Sequence, residues 1–314
     1  MKRIIFILIT LAALLYGGGC KQNKKTVIRN ANGKINVTVT NFPPYDFVRQ
    51  IAEDRVNLSM LLPPGAESHS FEPSPRDMIT IQSSAVFVYT GGESDFWVER
   101  ILKSMDTSGM RIIRMIGTVD AVEEEIVEGM EEEDEGEETV YDEHVWTSPQ
   151  NAILIVNAIT DALCEVDSAN EAFFRQNAQT YTNQLDELDK QFQAVADRAK
   201  RKIIIFGDRF PFRYFTDAYG LTYYAAFPGC STETEPSVAT VAFLINKIKA
   251  EKIPVIFHIE LSNERMADTI SDETGAKKLL LHACHNISKR DFEAGLGYLD
   301  FMRLNVENLR EALR

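Results

Sequence analysis

The sequence predicts an α/β protein of two Rossmann-like lobes joined by one long rigid helix, with a ligand cleft between the lobes. Three observations predict it. Short apolar, β-branched runs alternate with amphipathic stretches from about residue 34 onward, the pattern of a parallel sheet covered by helices. In Glu171 to Lys200, Phe174, Ala178, Tyr181, Leu185, Leu188, Phe192, Val195 and Ala199 recur at spacings of three and four, the clearest helical period in the chain. The strand–helix alternation occurs once before that stretch and again after it, and a chain of 314 residues is long enough for two domains.

Residues 1–19 read as a signal peptide: Lys2 and Arg3, an apolar run from Ile4 to Tyr16, then three glycines. The run is too short for a comfortable membrane span. Cys20 directly after small residues resembles the lipidation site of bacterial lipoproteins, although Gly17 stands where such sites usually carry Leu. A plain secreted protein cut near Gly19 is the alternative. Residues 20–33 are polar and read as a lipidated, flexible tether.

The first lobe is expected over 34–165. Ile35–Thr40 alternates and reads as a strand, Pro43–Asp54 as a helix, Val56–Leu61 as a strand and Ser74–Ser83 as a helix with Pro75 in its first turn. Ala85–Tyr89 is a continuously apolar strand, as expected for a sheet covered on both faces. A helix over Ser94–Lys103 and a short strand at 111–113 follow, and Ser148-Pro149 opens another helix. The connecting helix is expected within 166–200, its periodic part from Glu171 to Lys200; a coiled-coil dimerisation helix is the alternative reading. The second lobe, 201–314, repeats the alternation with strands at Lys202–Phe206, Leu221–Ala226, Pro254–Glu260 and Lys278–Leu281. Its helices are expected at Pro211–Tyr219, Pro236–Glu251, Asn263–Thr274 and Asp291–Leu313. A cleft between two such lobes is a common small-ligand site.

The formal net charge is −14, and much of the acidic excess sits in 123–143. Such a run cannot bury a core and is expected to be disordered. It argues against nucleic acid as a partner, because phosphates would be repelled. It ends beside His144, so a mobile acidic arm there would raise the local cation concentration; a solvated linker is the alternative.

Two loops carry the chemistry. Pro63-Pro64-Gly65-Ala66-Glu67-Ser68-His69-Ser70-Phe71-Glu72-Pro73-Ser74-Pro75-Arg76-Asp77 follows a strand, where open α/β sheets place ligand groups. Asp142-Glu143-His144-Val145-Trp146-Thr147-Ser148-Pro149 is the second. Together these stretches resemble the metal-binding solute receptors of zinc and manganese ABC transporters, the ZnuA/TroA-like group. The resemblance implies that His69 and His144 bind metal from the first lobe. It implies a third ligand just after the strand at Ile203–Phe206, where Asp208 is the nearby side chain able to serve, since Gly207 and Arg209 cannot. A fourth would lie just after Lys278–Leu281, at His282, with His285 as the alternative and Glu260 as a further candidate. Three imidazoles and one carboxylate suit four-coordinate Zn2+ better than Mn2+; a manganese site would bring in Glu260 or Glu235. His258, inside an apolar run, reads as a core histidine.

The resemblance further implies a monomeric extracytoplasmic receptor. It would be anchored to the membrane through Cys20, periplasmic if the cell has an outer membrane, and would deliver a divalent metal ion to an ABC permease. In zinc receptors of the group a His-rich acidic loop stands where 123–143 stands; here the acids are present without histidines. Cys230 and Cys284, both on loops after second-lobe strands, are expected to form a disulfide outside the cytoplasm, leaving Cys164 as the free thiol; zinc ligation by Cys284 is the alternative. The competing functions are a surface metallohydrolase, with Glu67 or Glu143 as general base, and an adhesin or scaffold with a structural metal. Neither a His-Glu-x-x-His helix nor a Gly-x-Ser-x-Gly elbow occurs, so no enzyme is expected.

Overall fold

The first sheet is built from β1 (Asn36–Val39), β2 (Asn57–Met60), β3 (Val86–Tyr89) and β4 (Arg111–Arg114). All are parallel, in the order β2-β1-β3-β4. The computed structural model describes residues 29–68, 70–130, 140–229 and 236–314. The signal peptide, Cys20, His69, Cys230, Glu235 and the segment 131–139 lie outside the described residues. Helices α1 (Phe42–Ala52), α2 (Pro75–Gln82) and α3 (Phe96–Ser104) cross between the strands. Ser74 caps α2 in a reciprocal pair with Asp77, and Pro75 takes the first helical position, as the Ser-Pro-x-Asp pattern dictates.

Helix α4 (Pro149–Val166), capped by Ser148, returns along the sheet and leads into α5 (Glu171–Asp197). This second helix is the periodic stretch, and at 27 residues it is about 40 Å long. Phe174, Tyr181, Leu185, Leu188 and Phe192 on its apolar face are all buried. They belong to one continuous core that takes in residues of both lobes. Tyr181 reaches Asp46 of α1 at 3.2 Å, while Phe192 meets Phe215 and Tyr219 of α6 (Arg213–Tyr219) at ring-centroid distances of 4.9 and 5.5 Å. The apolar stripe is therefore consumed inside the molecule rather than by a coiled-coil partner.

The second lobe carries β5 (Ile203–Ile205), β6 (Arg209–Phe210), β7 (Thr222–Tyr224), β8 (Phe227–Pro228), β9 (Val255–His258) and β10 (Lys277–Leu280). The pairs β5–β7 and β9–β10 are parallel. A parallel bridge from Phe206 to Phe257 joins them, giving the order β7-β5-β9-β10. This is the order of the first sheet with its strands taken in the same sequence, so the two lobes share one winding. Helices α7 (Val238–Glu251) and α8 (Arg265–Thr274) supply the crossovers.

Two regions differ from the sequence reading. The expected helix over Asp291–Leu313 is two helices, α9 (Lys289–Glu293) and α10 (Tyr298–Ala312). Gly295 between them takes φ 76°. At Gly297 a Cβ would stand 2.9 Å from Arg49 and 3.0 Å from the Asp46 carboxylate. The break lets the Tyr298 amide donate to Asp46 at 2.8 Å, tying the C-terminal helix to the first lobe.

The acidic stretch also differs over its described part, which lies against the second lobe instead of hanging free. Glu124 and Asp142 amides donate to Val140 and Val122 carbonyls, forming a short antiparallel ladder. Glu125 pairs with Arg213 at 3.4 Å and Glu128 with Lys247 at 3.5 Å. The physical reason is composition: Val122, Val127 and Met130 interleave with the acids and pack on the core. Among the described residues no helix is long and apolar enough to cross a membrane.

Candidate metal centre

His144 stands where the chain leaves the acidic ladder and enters the single turn Val145–Thr147 ahead of α4. It is almost fully buried. Asp142 Oδ1 accepts from the His144 amide at 2.7 Å and lies 3.0 Å from the ring Nδ1. With Nδ1 facing this carboxylate, Nε2 is left to face the cleft, the arrangement by which a carboxylate orients a ligating imidazole. Burial disfavours the charged ring, yet Asp142, through charge and hydrogen bond, with Glu143 and Glu124 behind it, leaves the pKa raised.

Glu143 is fully buried, and its Oε2 accepts from the Ser94 amide at 2.9 Å. Its Oε1 has no hydrogen-bond partner among the described residues and lies 3.8 Å from Nε2 of His285. Burial pushes the Glu143 carboxyl up to about 7, against the pull of His144 and of the Ser94 amide. The His285 ring stands edge-on to His144, centroids 5.2 Å apart. Donor atoms of Glu143, His144 and His285 all lie within 4.8 Å of one another. A buried carboxylate oxygen converging on two imidazoles is a donor set that a divalent cation fits.

The two lobes are fastened around this cluster. Glu260, after β9, accepts the Ala283 and His285 amides at 2.7 and 3.1 Å and so fixes the turn that presents His285. Burial pushes its carboxyl up to about 7. Asn286 donates to the carbonyls of Pro63 and Ala66 at 2.8 and 2.9 Å, and the Gly65 amide donates to Ile287 at 2.8 Å. The loop that leads to position 69 is thereby stapled to the His285 segment. Trp146 Nε1 donates to the Ala283 carbonyl at 2.7 Å, and Tyr298 donates to the Trp146 carbonyl at 2.6 Å. Arg209 meets Glu67 across the cleft at 3.2 Å. The cleft itself is lined by Glu67, Ser68, His144, Arg209, Glu260 and His285, among others.

Compared with known proteins, residues 37–312 match the family model described as the zinc-uptake complex component A, periplasmic, ZnuA. The chain belongs to the ZnuA family. The high-affinity zinc uptake system protein ZnuA of Bacillus subtilis (strain 168) is 31% identical over 315 residues, 98% of this chain and 97% of that protein. The zinc-binding lipoprotein AdcA of Streptococcus pneumoniae R6 is 32% identical over 318 residues, 99% of this chain. The match spans 61% of the length of AdcA. Among solved structures, the Zn(II)-bound ZnuA-like domain of Streptococcus pneumoniae AdcA superposes with TM-score 0.75 at 31% identity, covering 90% of this chain and 99% of that one. The metal-dependent lipoprotein YcdH of Bacillus subtilis gives 0.76 at 32% identity, covering 89% and 99%.

Within this ZnuA-family fold the expected ligand positions separate. His144 is in the cluster; His69 lies outside the described residues. Asp208 is not in the cluster: its carboxylate accepts the Arg209 amide at 2.8 Å and the Ile259 amide at 3.2 Å, closing the turn after β5 as a short polar residue does. Among the described residues His282 is not in it either. Its backbone exchanges hydrogen bonds with the Asn305 side chain at 2.7 and 2.8 Å. Its ring lies against Phe301, centroids 4.7 Å apart, and burial pushes its pKa down to about 4. Cys284 takes φ 60° in the turn held by Glu260, so three residues carry the chain from the Phe301 side to the cleft, and His285 arrives where His282 was expected.

His258 is buried, with Nδ1 beside the Ile259 carbonyl at 3.2 Å. Glu260 holds backbone amides rather than facing the cluster. Cys284 is a buried free thiol, not the expected half of a disulfide; Cys230 lies outside the described residues. Glu143 was weighed on sequence only as a general base. The available signal for it was its place immediately before His144, with an acid on its other side.

Proposed function

We propose that this chain is the extracytoplasmic receptor of a zinc uptake system. It would capture Zn2+ in the cleft and hand it to an ABC permease, acting as a monomer tethered through Cys20 and catalysing no reaction. The observation that carries the reading is the buried convergence of Glu143 and His144 from the first lobe with His285 from the second. With His69, which the sequence resemblance assigns as a ligand, the set would be three imidazoles and one carboxylate, suited to a four-coordinate shell. Asp142 holds His144 in the ligating tautomer, and Glu260 holds the His285 turn. The zinc-binding relatives named above support zinc as the cargo.

The test is competition for zinc against a chromophoric chelator. His144→Ala and His285→Ala should each weaken binding by about a hundredfold or more, as expected for loss of a direct ligand. His282→Ala should bind like the parent. If His282→Ala lost zinc while His285→Ala kept it, the ligand assignment would be wrong. One equivalent of manganese held more tightly than zinc would overturn the choice of cargo.

A further inference from the structure

The metal cleft has a definable mouth. Among the described residues that line it, Glu67 and Leu261 are exposed, Glu67 over 43% of its side chain and Leu261 over 45% of the residue. His144 and His285, which line the same cleft, are buried. Arg209 also lines it, and its guanidinium meets the Glu67 carboxylate at 3.2 Å. That pair runs from the loop after β2 to β6, so it closes the mouth from one lobe to the other. Glu67, Arg209 and Leu261 also line a second, outer cavity of about 370 Å³, whose other walls include Asp208, Phe227 and Met266. His144 and His285 do not line that cavity. Residues that face both spaces are the wall between them. Leu261 holds φ 59°, a left-handed backbone that is costly for a residue with a side chain. Strain of this kind persists where the surrounding structure imposes it, and it gathers at functional sites.

We propose that the Glu67–Arg209 pair is the gate of the metal site, parting to let an ion pass between the outer cavity and the donors of His144 and His285. This rests on the receptor reading above. A gate that closes over the empty and the loaded site alike slows entry and exit by the same factor. It therefore sets the exchange rates and leaves the affinity unchanged, because it does not distinguish the two states. An ion pair with one partner exposed adds little to folding stability, yet breaking it at each passage is enough to slow exchange severalfold. Glu67 and Arg209 control the passage; Glu143, His144 and His285 hold the ion.

Stopped-flow uptake and release of Zn2+, with a fluorescent chelator reporting free zinc, test this on the parent and two double variants. Glu67→Gln with Arg209→Gln removes the ion pair and keeps the net charge. It should speed uptake and release alike, by about fivefold, and leave the affinity within about twofold of the parent. Glu67→Arg with Arg209→Glu rebuilds the pair with its ends exchanged and should bring both rates back toward the parent. Raising salt from about 0.05 M to 1 M should speed release from the parent more than from the double glutamine variant, because screening weakens an ion pair. Parent-like rates in the double glutamine variant would overturn the proposal. So would a change confined to release, since Glu67 would then be a ligand, or equal acceleration in the exchanged variant, since the pairing would then be irrelevant. A parent protein that takes up no zinc would overturn the receptor reading and the gate with it.

Discussion

Asn286 offers the sharpest test of how the cleft is assembled. It is buried, donates to Pro63 and Ala66 at 2.8 and 2.9 Å, and accepts from the Ile287 amide at 2.9 Å. Asn286→Ala removes all three bonds and leaves two loop carbonyls and one amide without that partner. At about 1 kcal/mol for each bond, with a desolvation penalty where water cannot enter, the loss should be about 2–4 kcal/mol. Much of that should appear as loosening of the loop leading to position 69, so zinc affinity should fall by about tenfold to a hundredfold. Asn286→Asp sharpens the test. It keeps an acceptor for Ile287 but sets a carboxylate against two carbonyl oxygens, so it should be less stable than Asn286→Ala. Denaturant unfolding of the metal-free protein and chelator competition measure the two quantities. Parent-like stability of Asn286→Asp would refute the assignment of the amide nitrogen as the group that holds the loop.

Other outcomes follow from the same geometry. Gly92→Ala should destabilise the protein by about 1–3 kcal/mol and weaken zinc binding, because a Cβ there would stand 2.2 Å from Glu143 Cβ; parent-like zinc affinity would argue against Glu143 as a ligand. Trp146→Phe loses the bond to Ala283 and should cost about 1–2 kcal/mol in unfolding measurements. The pH dependence has a definite sign. Glu143 and Glu260 bind protons more tightly folded, at about 7, than at the ordinary 4.5, so the metal-free protein should gain on the order of 1–2 kcal/mol as pH falls from 8 to 6.5. Below 6.5 the gain should be offset, because the unfolded chain protonates His282 while the folded one, at about 4, does not. Unfolding midpoints that stay flat or rise between pH 6.5 and 8 would contradict this.

The fold was legible because its signals are local and repeated. Strand runs such as Ala85–Tyr89 and the period of α5 depend on nearest neighbours in sequence, and Ser74 and Ser148 mark helix starts by side-chain chemistry alone. What was not legible depends on contacts between distant residues. Gly297 breaks the last helix because Asp46 and Arg49 come close to it, more than two hundred residues away in sequence. Asp208 looked like a ligand because it follows a strand, and only the approach of the Ile259 amide shows its carboxylate spent on backbone. His282 and His285 are chemically alike; the choice between them rests on how the chain turns at Cys284, which Asn305 and Glu260 decide from other elements. The acidic stretch was misread because its acids outnumber the three apolar residues that seat it.

Several fastenings cross between the lobes beneath and beside the cleft, among them Asn286 to Pro63 and Ala66, Gly65 to Ile287, Trp146 to Ala283, Tyr298 to Trp146 and to Asp46, and Arg209 to Glu67. With α5 shared by a common core, they leave no joint about which one half could swing as a jaw. Cargo exchange then becomes a matter of peeling a few loops, and its energy is set by a handful of hydrogen bonds rather than by a bending motion of the whole chain. A docking membrane protein would need to grip only the rim to free the ion, and distance probes placed on the backs of the two lobes would register almost no movement as it left.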